Sequence, residues 1–289
     1  MHPVFHPGAV ALITGAASGI GLAAAKLCHR AGMNLILADV DEQALAAATA
    51  DLPSTPHLKI SSVRIDVSNL ADWQRLQEEV ASTYPGGVDF LMLNAGASHR
   101  PAADKTPWTD PDYFQKTFAV NTFGYTNGIA AFLDAVTKNK DHPRAIVLTG
   151  SKQGITNPPG NPAYNASKSA VKTIAEHLSF TLHESHPNVS VHLLVPGFTY
   201  TGLVARYFPS KPDGAWTPEQ VIDYMEGKMA QGAFYILCPD NEVTEELDQR
   251  RIAWGYGDMI HGRPALTRWR SDWKEKAAKG IEALEGDGL

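Results

Sequence analysis

The sequence predicts an α/β fold in which a doubly wound parallel β-sheet carries helices on both faces. Between residue 9 and about residue 195, short apolar runs alternate with longer helical patterns, which is typical of repeated βαβ units. The apolar runs are nearly continuous, as in strands that a parallel sheet buries on both sides. No linker, charge block or internal repeat divides the region, so we expect a single domain over residues 1–289 with its core at 8–195.

The predicted strands follow the chain in the order "AVALIT", "NLILAD", "LKISSVRID", "VDFLMLN", "RAIVLTG" and "VSVHLLVP", with a seventh, "AFYIL", near residue 235. Stretches such as "LAAAKLCHRAG", "DEQALAAATADL" and "LADWQRLQEEVAST" lie between them; each has helix length, and several end near Gly or Pro. Further helices are expected at about 111–138, 162–186 and 217–231. These helices are the crossovers of the sheet.

The pattern changes after Pro196. Residues 197–216 are rich in Gly, Pro and aromatic residues and have weak periodicity, and a loop of that length is normally functional or mobile. Residues 233–289 are expected to hold the last strand and a helical C-terminal extension. The extension carries four aromatic residues that belong either to a core or interface or to a pocket wall: Trp254, Tyr256, Trp269 and Trp273.

Composition excludes several classes of function. The 289 residues are 44% hydrophobic and carry a net charge of −6, with dispersed Lys and Arg, so nucleic acid is not an expected partner. The start of the chain has no basic region and its apolar run is cut by Gly15, so we expect no signal peptide, no membrane helix and a cytoplasmic location. Cys28 and Cys238 form no disulfide or metal motif, and the eleven histidines lack a His-Glu-x-x-His pattern, so no metal site is expected.

The first strand runs into a glycine-rich turn, "TGAASGIGLAAAKL", with Gly15, Gly19 and Gly21 where a helix must start. Glycine lets the backbone approach a pyrophosphate, which the helix N-terminus then attracts. A tight turn without a ligand is the alternative. Asp39 ends the second strand, 18 residues after Gly21, where an acid accepts hydrogen bonds from an adenosine ribose; Asp39 is also placed to cap the helix near Asp41.

The same acid predicts which dinucleotide fits. A carboxylate beside the ribose repels a 2′-phosphate, and neither residues 16–18 nor Val40 offer the Lys or Arg that a phosphate needs. The sequence therefore favours NAD over NADP.

The stretch "NPAYNASKSAVK" places Tyr164 and Lys168 one helical turn apart. Taken alone, such a pair is equally an exposed surface contact. A phenol, with a pKa of about 10, is a poor base at neutral pH, and a neighbouring ammonium favours its ionised form. Hydride transfer from a secondary alcohol also requires a base for the hydroxyl proton, so the pair is a candidate general base.

Together these patterns resemble the short-chain dehydrogenase/reductase family, in its compact branch with a single Rossmann-type domain. The resemblance covers roughly residues 8–240 and includes "TGAASGIG", "IDVS", "LNAG", "AVNTFG", "VLTGS", "YNASK" and "PGFTYT" in fixed order, with 13 residues from Ser151 to Tyr164. "LNAG" departs from the commoner Asn-Asn-Ala-Gly. The resemblance implies a cofactor site made by Gly15, Ser18, Gly19, Ile20, Gly21, Asp39, Val40, Asp66, Val67, Asn94, Ala95, Gly96, Tyr164, Lys168, Pro196, Gly197, Phe198, Thr199 and Thr201.

The resemblance also implies the catalytic roles. Tyr164 is the acid/base, Ser151 hydrogen-bonds the substrate oxygen, Lys168 lowers the pKa of the phenol and holds the nicotinamide ribose, and Asn121 holds a water for proton relay. The family's matching helices pack across two-fold axes, which predicts a homodimer or homotetramer.

The implied function is an NAD-dependent oxidoreductase that interconverts a secondary alcohol and a ketone. Residues 196–232 are then the substrate loop or lid with its helix, and no basic cluster occurs there beyond Arg206 and Lys211, which favours a neutral, moderately bulky aromatic or alicyclic substrate. A non-catalytic NAD-binding sensor or scaffold is the alternative. The expected pocket residues are Ser151, Phe198, Tyr200, Leu203, Val204, Tyr207 and Phe208.

Overall fold

Seven parallel strands form one sheet in the order β3-β2-β1-β4-β5-β6-β7. The structure is a computed structural model and describes residues 1–284. The strands are β1 Val10–Thr14, β2 Asn34–Asp39, β3 Ile60–Arg64, β4 Phe90–Leu93, β5 Arg144–Thr149, β6 Val189–Val195 and β7 Tyr235–Leu237. This sheet confirms the predicted doubly wound fold.

The helices of the core connect these strands and lie on both faces of the sheet. They are α1 Gly19–Arg30, α2 Glu42–Ala50, α3 Leu70–Thr83, α4 Pro111–Phe118, α5 Gly124–Thr137, α6 Gln153–Thr156, α7 Pro162–Ser185, α8 Gly202–Ala205 and α9 Pro218–Ala230. After β7 come α10 Glu245–Ile260, two 3₁₀ turns at Thr267–Trp269 and Ser271–Trp273, and α11 Lys274–Ala283. No helix within residues 1–284 combines the length and apolarity needed to cross a membrane.

Two apolar layers enclose the sheet. On one face α1 and α9 pack side chains such as Leu27 and Met225 against it, and on the other α3, α5 and α7 contribute Trp73, Phe132 and Val171. All residues of β1 and β5 are buried, which explains their continuous apolar sequences. The layers hold the carboxyl ends of the strands in a fixed arrangement.

Some local features differ from the sequence expectation. The edge strand β3 is only Ile60–Arg64, because its polar, partly exposed residues leave little apolar surface to extend it. The helix predicted at about 111–138 is interrupted by a π-helical turn at Ala119–Phe123, which contains Asn121. Periodicity alone does not reveal a single wide turn within a helix, and such turns often occur at functional sites.

The sheet order reverses between β1 and β4, so the crossovers of these two strands leave in opposite directions. In open α/β sheets a crevice forms outside the carboxyl ends at this point, and ligands bind there. The glycine-rich turn follows β1, Asn94 follows β4, Ser151 follows β5 and Pro196 follows β6. The predicted motifs therefore gather along one edge of the sheet.

Candidate active site

The glycine-rich turn has a backbone that only glycine adopts easily. Gly15 and Gly19 have φ of +66° and +54°, in the left-handed region. A Cβ on Gly21 would lie 2.1 Å from the Gly15 oxygen, so no side chain fits there. The glycine residues therefore leave the first helical turn of α1 free of bulky groups. Ser18 is the N-cap of this helix, and Ile20 is buried. That bare helix start is suited to a pyrophosphate.

Asp39 lies at the end of β2 beside this turn. Its carboxylate accepts hydrogen bonds from the backbone N–H of Ala17 at 3.0 Å and of Asp41 at 3.1 Å. The N-cap of α2 is Asp41 and not Asp39, because the Asp41 side chain accepts a hydrogen bond from Ala44 N. Asp39 is half-buried and Val40 is 57% exposed, and their contact with a ribose stays a prediction.

Asn94 links the ends of three strands through hydrogen bonds. Its backbone N–H donates to the Thr14 hydroxyl at 2.9 Å, and its side-chain oxygen accepts from the Thr149 hydroxyl at 3.2 Å. The Ala95 N–H also donates to Thr14. The "LNAG" segment thus links the ends of β1, β4 and β5, which fixes the floor of the crevice.

The "IDVS" segment forms a turn after β3. Asp66 accepts hydrogen bonds from both the N–H and the hydroxyl of Ser68. Val67 is buried, and its carbonyl accepts from the Trp73 indole at 2.9 Å. A Cβ on Gly124 would lie 2.9 Å from the Val67 side chain, so this residue packs inward against α5. The adenine contact assigned to these two residues stays a prediction.

Ser151 and Tyr164 meet at the carboxyl edge. Ser151 lies two residues after the end of β5, and its side-chain oxygen accepts a hydrogen bond from Gln153 N at 3.1 Å. Tyr164 lies in the first turn of α7, where the Asn161 side chain caps the helix and fixes its start. Ser151 lies close enough to the Tyr164 phenol to lower its pKa. The helix and the strand end thus present two hydroxyls to one point.

The hydrogen-bond partners of the Lys168 ammonium are groups other than the Tyr164 phenol. Its ammonium donates to the Thr149 carbonyl at 2.8 Å and to the Tyr125 hydroxyl at 3.2 Å, and it lies 6.0 Å from the centre of the Tyr164 ring. The residue is 3% exposed, and burial lowers its pKa to about 7. Tyr125 had no sequence signal, since it lies in an ordinary helical stretch, yet its hydroxyl also donates to Thr149.

In the chain by itself burial dominates the pKa of Tyr164, and the lowering of that pKa by Lys168 stays a prediction. Although the tyrosine residue is half-buried overall, burial of its phenol raises the pKa, and the nearby Ser151 offsets only part of this rise. Lys168 is turned toward a carbonyl and is half-titrated near neutral pH, so it supplies less charge to the phenol than a free ammonium would.

Asn121 lies in the π-helical turn and is fully buried. Its side-chain oxygen accepts from Ala97 N at 2.8 Å, and its amide donates to the Ala97 carbonyl and to the Ser167 hydroxyl. A Cβ on Gly96 would lie 3.4 Å from the Asn121 oxygen and 3.6 Å from the Lys168 nitrogen. The bare Gly96 thus borders both residues, and the relay assigned to Asn121 stays a prediction.

The turn after β6 folds over the glycine-rich turn. A Cβ on Gly19 would lie 3.2 Å from the Thr201 side chain, which places "PGFTYT" beside the start of α1. Thr199 is 5% exposed, and its backbone pairs with Trp216. Gly15, Gly19 and Gly21 carry no side chain at the start of α1, and a dinucleotide whose pyrophosphate bound there would have Thr201 beside it.

Sequence reasoning missed a buried ion cluster behind this turn. The Lys152 ammonium pairs with Asp240 at 3.4 Å and also with Asp248 of α10, and all three side chains are largely buried. Asp240 also accepts from Phe198 N, and Lys152 N donates to the Pro196 carbonyl at 3.3 Å. Burial raises the pKa of Asp248, and Lys152 opposes that rise. The cluster joins the serine turn, the Pro-Gly turn and the extension.

The expected aromatic pocket residues are all at least partly exposed in the segment that follows β6. The Tyr200 hydroxyl donates to the Phe208 carbonyl at 3.2 Å, and the rings of Phe198 and Phe208 lie 6.0 Å apart. Tyr207 is 57% exposed, and the guanidinium of Arg100, which had no sequence signal, lies 5.6 Å from its ring. Leu203 and Val204 are half-buried in α8. Within residues 1–284 no group of three or more His, Cys, Asp or Glu side chains is arranged to hold a metal ion.

The fold and the site together define a class of protein. A doubly wound sheet with a bare glycine turn at its switch point, and a Ser-Tyr-Lys group beside it, is characteristic of nucleotide-dependent oxidoreductases. The sequence model described as "short chain dehydrogenase" matches residues 9–212, and the chain belongs to this family.

Individual relatives agree with this assignment. The chain is 30% identical over 226 residues to short chain aldehyde dehydrogenase 1 of Euphorbia lathyris, covering 78% of this chain and 75% of that protein. It is 29% identical over 202 residues to 3beta-hydroxysteroid dehydrogenase 2 of Eggerthella lenta, covering 68% and 73%. A short chain dehydrogenase/reductase from Burkholderia phymatum, solved in complex with NAD, superposes with a TM-score of 0.78 at 29% identity, over 91% of this chain and 98% of that one.

Proposed function

We propose that this chain is an NAD-dependent dehydrogenase that interconverts a secondary alcohol and a ketone. The observation that carries the proposal is that Ser151 lies close enough to the Tyr164 phenol to lower its pKa, with Lys168 one helical turn away and the glycine turn at the same edge of the sheet. Bound NAD supplies the hydride acceptor. The chain's own side chains bind the substrate and the cofactor and transfer the proton.

The proposed roles follow from the contacts. Ser151 hydrogen-bonds the substrate oxygen and stabilises charge that develops on it. Tyr164 removes the hydroxyl proton during oxidation and returns it during reduction. Lys168 is held by Thr149 and Tyr125, and we assign it to the ribose of the nicotinamide and to the proton path from Tyr164, with Asn121 beside it across Gly96.

The test of this function is NADH formation from NAD+ with a panel of aliphatic, aryl and alicyclic secondary alcohols. Turnover of at least one alcohol supports the enzyme. A chain that binds NADH tightly but turns over none of them favours the sensor or scaffold instead. The presence of all three of Ser151, Tyr164 and Lys168 in one cleft supports catalysis.

Preference for NAD is proposed from Asp39. Solved structures of similar fold hold NAD in one case and NADP in another, so the fold alone does not choose. Asp39 is fixed by two backbone N–H groups at the edge of the glycine turn, and the exposed Val40 beside it carries no charge. A 2′-phosphate placed there would meet a carboxylate without a counter-ion.

Substitution of Asp39 and Val40 is expected to change the cofactor preference. In the double variant Asp39→Ala, Val40→Arg, the ratio of kcat/KM for NADP to that for NAD should rise at least about tenfold, because repulsion is removed and a guanidinium is added. Initial rates with both cofactors at a fixed alcohol concentration measure it. The single variant Val40→Met is the control, with little expected change. A parent enzyme that already prefers NADP contradicts the assignment of Asp39.

The substrate side is proposed to be a largely apolar pocket under the 196–232 segment. The ring contact of Phe198 with Phe208, the hydrogen bond from Tyr200 to the Phe208 carbonyl and the exposure of both phenylalanines support an aromatic wall that a ligand covers. A relative from Eggerthella lenta is named for action on a hydroxysteroid, which supports an alicyclic alcohol here. We propose that this segment acts as a lid.

Burial of Lys168 predicts a specific pH dependence of stability without cofactor. Its pKa falls from 10.5 to about 7 on folding, so between these values the unfolded chain binds a proton that the folded chain does not. Stability therefore rises with pH through this window. From about pH 7 to about pH 9, wild type should gain roughly 2 kcal/mol relative to Lys168→Met, measured by urea unfolding at each pH. Parallel pH profiles of the two proteins would contradict this.

Assembly and location remain proposals. Phe123, next to α5, is 57% exposed and Phe180 of α7 is 82% exposed, which supports contact of these helices with a second copy in a homodimer or homotetramer. A cytoplasmic location is proposed from the two cysteines, which are free and buried.

A further inference from the structure

A cleft of about 390 Å³ lies between α6 and the C-terminal extension. Ile155, Thr156 and Asn157 line one side of it, and residues between 251 and 269 line the other. None of the catalytic, cofactor or pocket residues assigned above lines this cleft. Its volume lies within the range of small-molecule sites, about 300–1,000 Å³.

The lining of the cleft is positively charged in an otherwise acidic chain. Three arginines, Arg251, Arg263 and Arg268, face it with one acid, Asp258, while the whole chain carries a net charge of −6. Asp258 is already satisfied, because it pairs with Arg263 at 2.9 Å and accepts from both the N–H and the hydroxyl of Thr267. Arg251 and Arg268 therefore leave an excess of positive charge.

Arg268 has no acidic partner in the part of the chain that the structure describes. No carboxylate of residues 1–284 lies within 4.0 Å of its guanidinium, which stands 4.4 Å from the centre of the Trp269 ring. Arg251 lies 3.7 Å from Asp248, whose other oxygen belongs to the Lys152 cluster. Burial, with the nearby Arg251 charge, lowers the pKa of Arg268 to about 10, and the Asp248 charge offsets only part of this, so Arg268 remains charged at neutral pH.

The cleft also has apolar walls and an unusual backbone. Tyr256, Leu266 and Trp269 line it with exposures of 47%, 40% and 38%. Two of the three non-glycine residues with positive φ in the described chain, Asn157 at +46° and Leu266 at +58°, lie on its opposite sides. A leucine adopts that conformation only when its surroundings impose it, and such residues cluster at ligand sites.

We propose that this cleft is a second ligand site, separate from the catalytic cleft, which takes an amphipathic monocarboxylate. The carboxylate lies between Arg251 and Arg268, and its aromatic or alicyclic body lies against Tyr256, Leu266 and Trp269. Guanidinium groups bind carboxylates through paired, charge-assisted hydrogen bonds, and the apolar surfaces become covered.

The site is joined to the catalytic region. The Trp269 indole donates to the Thr156 carbonyl at 2.9 Å, across the cleft, and α6 begins two residues after Ser151. The other side of α6 packs on α7, because a Cβ on Gly154 would lie 2.6 Å from the Lys168 backbone. A ligand in the cleft therefore borders the helix that positions the serine turn.

Calorimetric titration of the full chain tests the proposal with naphthalene-2-carboxylate and its neutral counterpart, 2-naphthalenemethanol. The carboxylate should bind at least about tenfold more tightly, and its affinity should fall with added salt. Arg268→Met should weaken carboxylate binding at least about tenfold. Arg270→Met is the matched control: this exposed arginine pairs with Asp272 at 3.1 Å and does not line the cleft, so affinity should stay unchanged.

Two results would overturn the second site. One is equal affinity, or no measurable affinity, for the charged and neutral naphthalenes in the wild-type protein. The other is equal carboxylate affinity in Arg268→Met and Arg270→Met. The first comparison needs no variant, so the proposal stays testable even if Arg268→Met fails to fold, and neither measurement depends on turnover.

Discussion

Tyr164→Phe is expected to lower kcat at least about a hundredfold and to leave the affinity for NAD within about twofold, since a general acid–base group contributes about 10²–10⁴ to rate. The ring stays in place, so the packing of α7 is preserved. What is lost is the phenolic hydroxyl that lies near Ser151. Steady-state kinetics and NADH fluorescence titration separate the two quantities.

The pH profile of the wild type gives a second measure of the same group. Burial raises the pKa of Tyr164, so in the absence of cofactor the phenol is protonated throughout the neutral range. If the positive charge of oxidised NAD lowers that pKa, oxidation should accelerate with rising pH and Tyr164→Phe should lose this dependence.

Tyr84→Phe is the matched control. It removes one hydroxyl from a buried tyrosine that follows α3, at the opposite edge of the sheet from the glycine turn. Its turnover should equal that of the wild type. If Tyr164→Phe retains near-full activity while both proteins bind NAD, the proton is carried elsewhere and the assignment is wrong.

Much of this site was predictable because its signals are local in sequence. The glycine turn, Asp39 at the end of β2 and the Tyr164–Lys168 spacing each depend on one turn, one strand end or one helical repeat. The parallel strands bring these segments to a common edge of the sheet, because the carboxyl ends of parallel strands lie side by side. That is why separate motifs become one crevice.

The parts that sequence did not reveal depend on contacts between distant segments. Lys152 and Asp240 are 88 positions apart, and no spacing rule connects them. The direction of the Lys168 side chain depends on Tyr125, which lies 43 positions earlier and reaches the same carbonyl. Helical spacing indicates that Tyr164 and Lys168 share a face, but a long side chain on that face has several partners within reach, and burial selects among them.

The C-terminal extension is another region in which the sequence does not reveal the side-chain contacts. Composition left its aromatic residues open between core and pocket, and the structure divides them. Trp254 packs so closely on α11 that a Cβ on Gly280 would lie 1.9 Å from its ring, whereas Tyr256 and Trp269 line the arginine-rich cleft. Because the residue type is the same in both places, only the tertiary arrangement separates the two roles.

Lys152→Met is expected to cost about 3–5 kcal/mol in the free energy of unfolding, because it leaves buried carboxylates without their cation. Asp240 and Asp248 both pair with Lys152, and their side chains are 9% and 4% exposed. Methionine fills a similar volume, so loss of charge dominates the effect. Urea or thermal unfolding of the purified protein measures it.

The same change should lower turnover, because Lys152 follows Ser151 and its cluster holds the Pro-Gly turn through Asp240 and Phe198. We expect kcat to fall by about tenfold or more in the folded fraction, the scale on which small displacements of a catalytic group act. Lys172→Met is the matched control: Lys172 also forms an ion pair, with Glu176 at 2.7 Å, but this pair is partly exposed on the surface of α7. Its loss should cost no more than about 0.5 kcal/mol and leave turnover unchanged.

A compensating variant separates charge from packing. Asp248→Asn alone removes one of the two acids that Lys152 neutralises, and combined with Lys152→Met it leaves Asp240 as the single uncompensated carboxylate. The double variant should therefore be more stable than Lys152→Met alone, with a coupling energy of about 1 kcal/mol or more, as for groups in one ionic network. If Lys152→Met is as stable as Lys172→Met, or if Asp248→Asn gives no recovery, the cluster does not hold the serine turn by charge, and the extension attaches to the core through its apolar contacts instead.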